Sequence, residues 1–128
     1  MKLILCLILF LPFLTTAQPF AGMALSSNSA ELHAGYAFSG LEITAAYKAP
    51  FLNNEIARVA SLTFSESLHL SDSVHYIRAG TGIAFYNRKL EPNFRAEIGR
   101  RYNQGTLFIL IDYCKKLFFM AGIKIYIK

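Results

Sequence analysis

Cysteine is nearly missing from this chain, Cys6 and Cys114 being its only two. Cys6 lies inside an apolar run, behind Leu5 rather than after a small residue at the end of the run, which argues against a lipoprotein processing site. Cys114 is then the single thiol of the remainder, so no intramolecular disulfide and no cysteine metal cluster can form there. Tryptophan is absent, and Asp, Glu, Lys and Arg make up only 16% of the residues, where soluble domains average about 25%. Such a chain has few groups with which to cover a wet surface. No apolar run reaches the ~20 residues of a membrane-spanning helix. Lys and Arg exceed Asp and Glu by 13 to 8, yet no basic run is longer than a pair and none is set among aromatics in a recognised module. Nucleic acid is therefore not an expected partner.

The first segment has the layout of an export signal. Lys2 supplies a positive start, Leu3 to Leu14 an apolar stretch, and Thr15-Thr16-Ala17 small residues before a cut at Gln18. The sequence thus predicts a signal peptide over 1–17 and one domain over 18–128.

Past Ala17 the chain alternates apolar with small or polar residues, the period of a half-buried strand. Eight such stretches are expected: Phe20 to Leu25, Ala30 to Phe38, Leu41 to Ala49, Arg58 to Leu70, Ser73 to Tyr86, Phe94 to Tyr102, Gly105 to Tyr113 and Lys116 to Ile127. Turn-forming residues separate them, including Ser26 to Ser29, Ser39-Gly40, Pro50 to Ala57, Ser71-Asp72, Asn87 to Asn93, Asn103-Gln104 and Cys114-Lys115. No stretch carries a capped helical period. Connections two, four and six read as two-residue turns, and one, three and five as longer loops on the opposite side, the asymmetry of bacterial outer-membrane barrels. The seventh is short.

Register follows from the turns, because a slip of one residue exchanges the two faces. Across Ser39-Gly40, Tyr36 meets Ile43 while Glu31 meets Lys48; across Asn103-Gln104, Ile98 meets Ile109 while Arg95 meets Asp112. Across Ser71-Asp72 a two-residue turn predicts Phe64 opposite Ala79 and Ser65 opposite Arg78. One face then holds Gly35, Ala37, Ala46, Gly80, Gly82, Ala84, Gly99 and Gly122, small enough for the lumen of an eight-stranded barrel. The same face carries Glu31, Glu42, Lys48, Arg78, Arg95, Glu97, Arg101, Asp112 and Lys124, mixed in sign, as a lumen charge network. The other face, with Ile43, Leu62, Ile77, Ile83, Ile98, Ile109, Ile111, Phe119 and Ile123, is expected to meet lipid. Tyr47, Phe85, Phe94 and Tyr113 at one end and Tyr36, Phe38 and Tyr102 at the other offer two aromatic girdles. Glu66 and Arg100 fall on the lipid-facing parity, toward the strand ends on the periplasmic side.

These features resemble the small eight-stranded outer-membrane barrels of the OmpA/OmpX type. The closing stretch Gly122-Ile123-Lys124-Ile125-Tyr126-Ile127-Lys128 keeps the glycine and the alternation of that class's terminal strand, with apolar residues where the class tends to place aromatics. The resemblance implies an all-β, antiparallel, up-and-down transmembrane barrel with a filled interior, recognised by the outer-membrane assembly machinery, and it brings no catalytic residues.

For function the sequence predicts a monomeric, non-enzymatic outer-membrane protein, without cofactor or metal, serving envelope integrity or accessory to a larger envelope complex. Lys48, Arg58, Arg88, Lys89, Lys115 and Lys116 fall at the external rim, and Arg88, Lys89, Lys115 and Lys116 are the candidates for contact with lipopolysaccharide phosphates. Two alternatives stand beside this: a secreted or periplasmic soluble barrel holding an apolar ligand, and a lipid-modifying outer-membrane enzyme. For the latter, Ser65 to Ser67 with His69 and Asp72 form a conceivable nucleophilic set, although no G-x-S-x-G motif is present. His33, His69 and His75 lack ligand spacing and read as single polar residues of the wall or turns.

Overall fold

The computed structural model describes residues 17–51 and 58–128. The expected signal peptide, apart from Ala17, and residues 52–57 of the Pro50 to Ala57 connection lie outside the described residues. Eight antiparallel strands, each hydrogen-bonded to its neighbours in chain order, close into a barrel through the pairing of first with last. They are β1 (Gln18–Leu25), β2 (Ser29–Phe38), β3 (Leu41–Pro50), β4 (Val59–His69), β5 (His75–Tyr86), β6 (Lys89–Arg101), β7 (Gly105–Cys114) and β8 (Lys116–Tyr126). Closure removes every free sheet edge. With an even number of strands both termini of the barrel leave from one end, called here the termini end; the other is the far end.

Two turns match their predicted form. Ser39-Gly40 places Gly40 at φ 94°, where a Cβ would be strained, and sets Phe38 opposite Leu41 and Glu31 opposite Lys48. Asn103-Gln104 sets Arg95 opposite Asp112 and Ile98 opposite Ile109. The β4–β5 connection is longer than the expected Ser71-Asp72 turn. It runs Leu70 to Val74, with Ser73 at φ 53° and the Asp72 side chain accepting from the Val74 and His75 amides. Register moves by two residues, so Phe64 faces Thr81, Ser65 faces Gly80 and Ser67 faces Arg78. An even shift keeps every side chain on its predicted face.

The fifth connection departs further. In place of a loop from Asn87 to Asn93, Asn87 and Arg88 alone make the turn, both at positive φ (48° and 62°), as in the tight turns whose twist matches that of paired strands. Strand β6 therefore starts at Lys89 and takes in Pro92 opposite Ile83. Pairing with β7 begins only at Phe94, so Pro92 lies where β6 has one free side and a missing N–H is tolerated. The far end consequently has short β5–β6 and β7–β8 turns, and its one long connection is β3–β4.

The two faces of the wall are the reverse of a soluble protein's. Ile109 and Phe119 are 59% and 61% exposed, while Lys48 and Glu97 are 2% and 4% exposed. A lipocalin-type barrel needs the apolar set inside; here Ile109, Ile111 and Ile123 look outward and Arg95 and Glu97 look in. The aromatics Tyr47, Phe85, Phe94 and Tyr113 are exposed near the far end, as are Tyr36 and Tyr102 near the termini end. Glu66 and Arg100 also point outward, beside Leu41 and His75 at the very start of β3 and β5, hence at the termini-end rim and not at mid-wall.

Candidate functional site

The lumen holds two separate groups of charges. Toward the far end, Glu31 from β2, Lys48 from β3, Arg95 from β6 and Asp112 from β7 converge. The Lys48 ammonium donates to Asp112 and lies 3.8 Å from Glu31, and Arg95 Nη2 is 2.6 Å from Glu31 Oε1. Asn93 Nδ2 donates to Asp112 Oδ1 at 2.7 Å, and Thr63 Oγ1 donates to Asn93 Oδ1 at 3.0 Å. Toward the termini end, Arg78 Nη1 lies 3.1 Å from Glu42 and 3.0 Å from Glu97, and Lys124 Nζ lies 2.6 Å from Glu42 and 3.5 Å from Glu97. The Tyr76 hydroxyl also donates to Glu97. Each group contains two cations and two carboxylates, so each is neutral by itself. That balance is what allows eight charges to sit away from water, since an unmatched buried charge is strongly destabilising.

Of the charged residues expected in the lumen, Glu31, Lys48, Arg78, Arg95, Glu97, Asp112 and Lys124 are buried there, and Glu42 with them. Arg101 shares their parity but is exposed at the termini end and joins neither group. Lys48 also corrects the expected rim: its side chain turns inward and is consumed by Asp112 and Glu31. Arg88, Lys89, Lys115 and Lys116 are exposed at the far end, with Lys115 Nζ 3.6 Å from Glu91 on the extended β6. Arg58 joins them. A shallow groove of about 360 Å³ runs along the outer wall beneath this rim, between Tyr47, Ala60 and Phe85, with Arg58 and Arg88 at its border.

The interior also contains large apolar side chains that the expectation of small residues did not include. Phe108 and Leu110 of β7, Phe118 and Met120 of β8, and Ala24 of β1 form a cluster inside the barrel. Lys48 stacks 3.9 Å above the Phe118 ring and Lys124 lies 4.8 Å from the Phe20 ring, cation–π contacts that join apolar and charged sides of the lumen. The signal was present in β7, whose Leu107 to Ile111 run is apolar on both parities, the pattern of a strand buried on one face and greasy on the other. Small residues are still required where large ones crowd: a Cβ on Gly99 would sit 2.5 Å from the Tyr76 hydroxyl.

The conceivable nucleophilic set is not assembled. Ser67 Oγ donates to the Gly40 carbonyl at 3.1 Å, Ser65 Oγ to the Glu42 carbonyl at 3.5 Å, and Asp72 is paired with His75 rather than His69. His33 is buried with Nδ1 3.2 Å from Glu31 Oε1, far from the other two histidines in the fold. Among the described residues no group of three His, Cys, Asp or Glu side chains could hold a metal ion.

No protein-family model matches the sequence, and no curated protein matches it either. Solved structures do resemble it. A chain described under the de novo design of transmembrane β-barrels superposes with a TM-score of 0.66 at 14% identity, over 88% of this chain and 96% of that one. The de novo designed TMB2.3 gives 0.62 at 18% identity, over 88% and 94%. Neisserial surface protein A gives 0.51 at 14% identity, over 87% and 94%. At such identities the likeness is one of fold: a closed eight-stranded antiparallel barrel of the kind built by transmembrane β-proteins.

Proposed function

We propose that this chain is a monomeric outer-membrane barrel of the OmpA/OmpX type, exported by a signal peptide and inserted by the outer-membrane assembly machinery. Its role in this reading is structural: it supports envelope integrity or serves a larger envelope complex, without enzymatic chemistry. The inverted wall carries the proposal, because an exterior of Ile, Leu and Phe around a charged interior is favourable only where hydrocarbon replaces water outside. Resistance of the detergent-extracted protein to unfolding before boiling, read as a mobility change on gels, tests it. Release from membranes by carbonate would overturn it. Ile109→Arg places a cation on the lipid-facing wall and should destabilise the barrel in lipid by about 2–4 kcal/mol, measured by urea titration in vesicles.

The far end is assigned to the cell exterior, and lipopolysaccharide is the partner proposed there. The supporting observation is the groove beside Tyr47 and Phe85, which offers acyl chains an apolar bed while Arg58 and Arg88, with Lys89, Lys115 and Lys116 around the rim, face phosphate height. Replacing Arg88, Lys89, Lys115 and Lys116 by Glu should strip co-purifying lipopolysaccharide from an otherwise folded barrel. Undiminished co-purification would remove the partner and leave the membrane reading standing.

A further inference from the structure

At the termini end the lumen opens into a bowl of about 680 Å³, a size typical of small-molecule sites. It lies on the barrel axis, since Gln18, His69, Arg78, Arg101 and Tyr126 all belong to the inward-facing parity of their strands. One wall is the β4–β5 hairpin, which continues past the start of β3 and brings His69 to the bowl. Arg78 forms the floor, and Arg101 and Asn103 stand at the rim.

We propose that this bowl binds the oxyanion group, phosphate or carboxylate, of a small solute. Every lining group that carries charge is basic or can become so, and no Asp or Glu among the described residues lines it. Of the nearby carboxylates, Glu42 and Glu97 bond Arg78 and Lys124, Asp72 bonds His75 in the hairpin, and Glu66 points outward from the wall. Arg101 is exposed and, among the described residues, has no carboxylate partner, unlike the buried cations of the lumen. The Arg78 Nε–H is buried without an acceptor among the described residues, an unfavourable state for a polar donor. The Tyr126 hydroxyl, the Asn103 and Gln18 amides and the fork of Arg101 supply the convergent donors that oxyanions need. Rim and bowl lie at opposite ends, so this proposal stands independently of the lipopolysaccharide contact.

The full barrel in zwitterionic micelles, labelled for side-chain nitrogen NMR, is titrated with inorganic phosphate and, separately, with acetate. Saturable shifts confined to Arg101, His69 and the Arg78 Nε signal are expected with at least one of them. Arg101→Gln should weaken that binding about tenfold, the loss of one charge-assisted hydrogen bond, and adding His69→Gln should abolish it. Both side chains are exposed, so a dispersed spectrum identical to wild type elsewhere verifies that the variants fold. Repeating the titration in nanodiscs with phosphatidylglycerol separates the two sources of the anion. Loss of the response there assigns the bowl to a lipid headgroup, and its persistence assigns it to a free solute. Shifts that never saturate, or that appear equally at Arg88 and Lys89, overturn the site.

Discussion

At its far end the lumen is stoppered on the β4, β5 and β7 side by Val59, Ala84, Tyr86 and the Cys114 thiol, all buried, above ion pairs that include Lys48, Asp112 and Glu31. At the termini end, among the described residues, Tyr76 is packed beside Glu97 and Arg78, but no apolar cluster covers the group, and Arg78 also lines the open bowl. Both ends carry a neutral quartet of charges, so the charge pattern does not distinguish them. Burial does not distinguish them either; the difference is what lies beyond each quartet, a packed apolar cluster at one end and an open bowl at the other. Inside a stopper, a charge depends wholly on its partners; beneath a bowl, solvent or a bound ion can substitute for a lost partner. One end is thus built for permanence, the other for exchange.

The sharpest way to test that contrast is to remove one cation from each quartet. Lys48→Met at the far end leaves Glu31 and Asp112 short of a partner in a closed space and should destabilise by about 3–5 kcal/mol. Arg78→Met should cost visibly less, because Glu42 and Glu97 retain Lys124 and gain water from the bowl. Urea unfolding of both variants in the same vesicles checks the order. Equal losses would mean that the termini-end quartet is as dry as the other.

A smaller effect separates the stopper itself from the bowl's rim. Val59→Ala removes about two buried methylene equivalents, which is destabilising by roughly 1.6 kcal/mol at ~0.8 kcal/mol each. Arg101→Gln should change stability by no more than about 0.5 kcal/mol, as befits an exposed side chain without an ion-pair partner among the described residues. If the two substitutions exchange these values, the assignment of closed and open ends is reversed.

Much of this contrast can be read from the sequence, and the exceptions have identifiable causes. Period-two alternation placed Arg95, Glu97, Asp112 and Lys124 on one face and Ile98, Ile109 and Ile123 on the other, because a strand has only two faces to choose between. Turn chemistry was legible at Ser39-Gly40, where glycine supplies positive φ. It was hidden at Asn87-Arg88, where an arginine takes that conformation and Pro92 nearby imitates a loop, although it only marks a free side of β6. That β4 and β5 are long enough to protrude at the termini end is legible from their length, whereas the bowl they wall is not, since alternation says nothing about which side chains line the space beyond the last pairing. Arg101 shows the same limit: its parity is inward, but it lies at the very end of β6, beyond the reach of the buried quartets. The inward placement of Lys48 follows from parity, and only its nearness to the outer end of its strand suggested the rim.

The hairpin that walls the bowl offers the gentlest test of all. Asp72 accepts from the backbone and the side chain of His75 and from the Val74 amide, and these bonds hold its carboxyl at about 2, below the ordinary aspartate value of 3.8. A group whose acidity is raised by folding stabilises the folded form while it is ionised. The contribution is therefore fully present above about pH 4 and fades as pH falls through 2. Because Asp72 is exposed, the effect belongs to the hairpin and not to the barrel: exchange of the Val74 and His75 amides should quicken toward pH 2 relative to amides of β7, after correction for the intrinsic rate. In Asp72→Asn that pH dependence should vanish while the rest of the wall keeps its protection. The far end provides the control, since its tight turn at Asn87-Arg88 contains no carboxylate, and those amides should pass through the same range without a step.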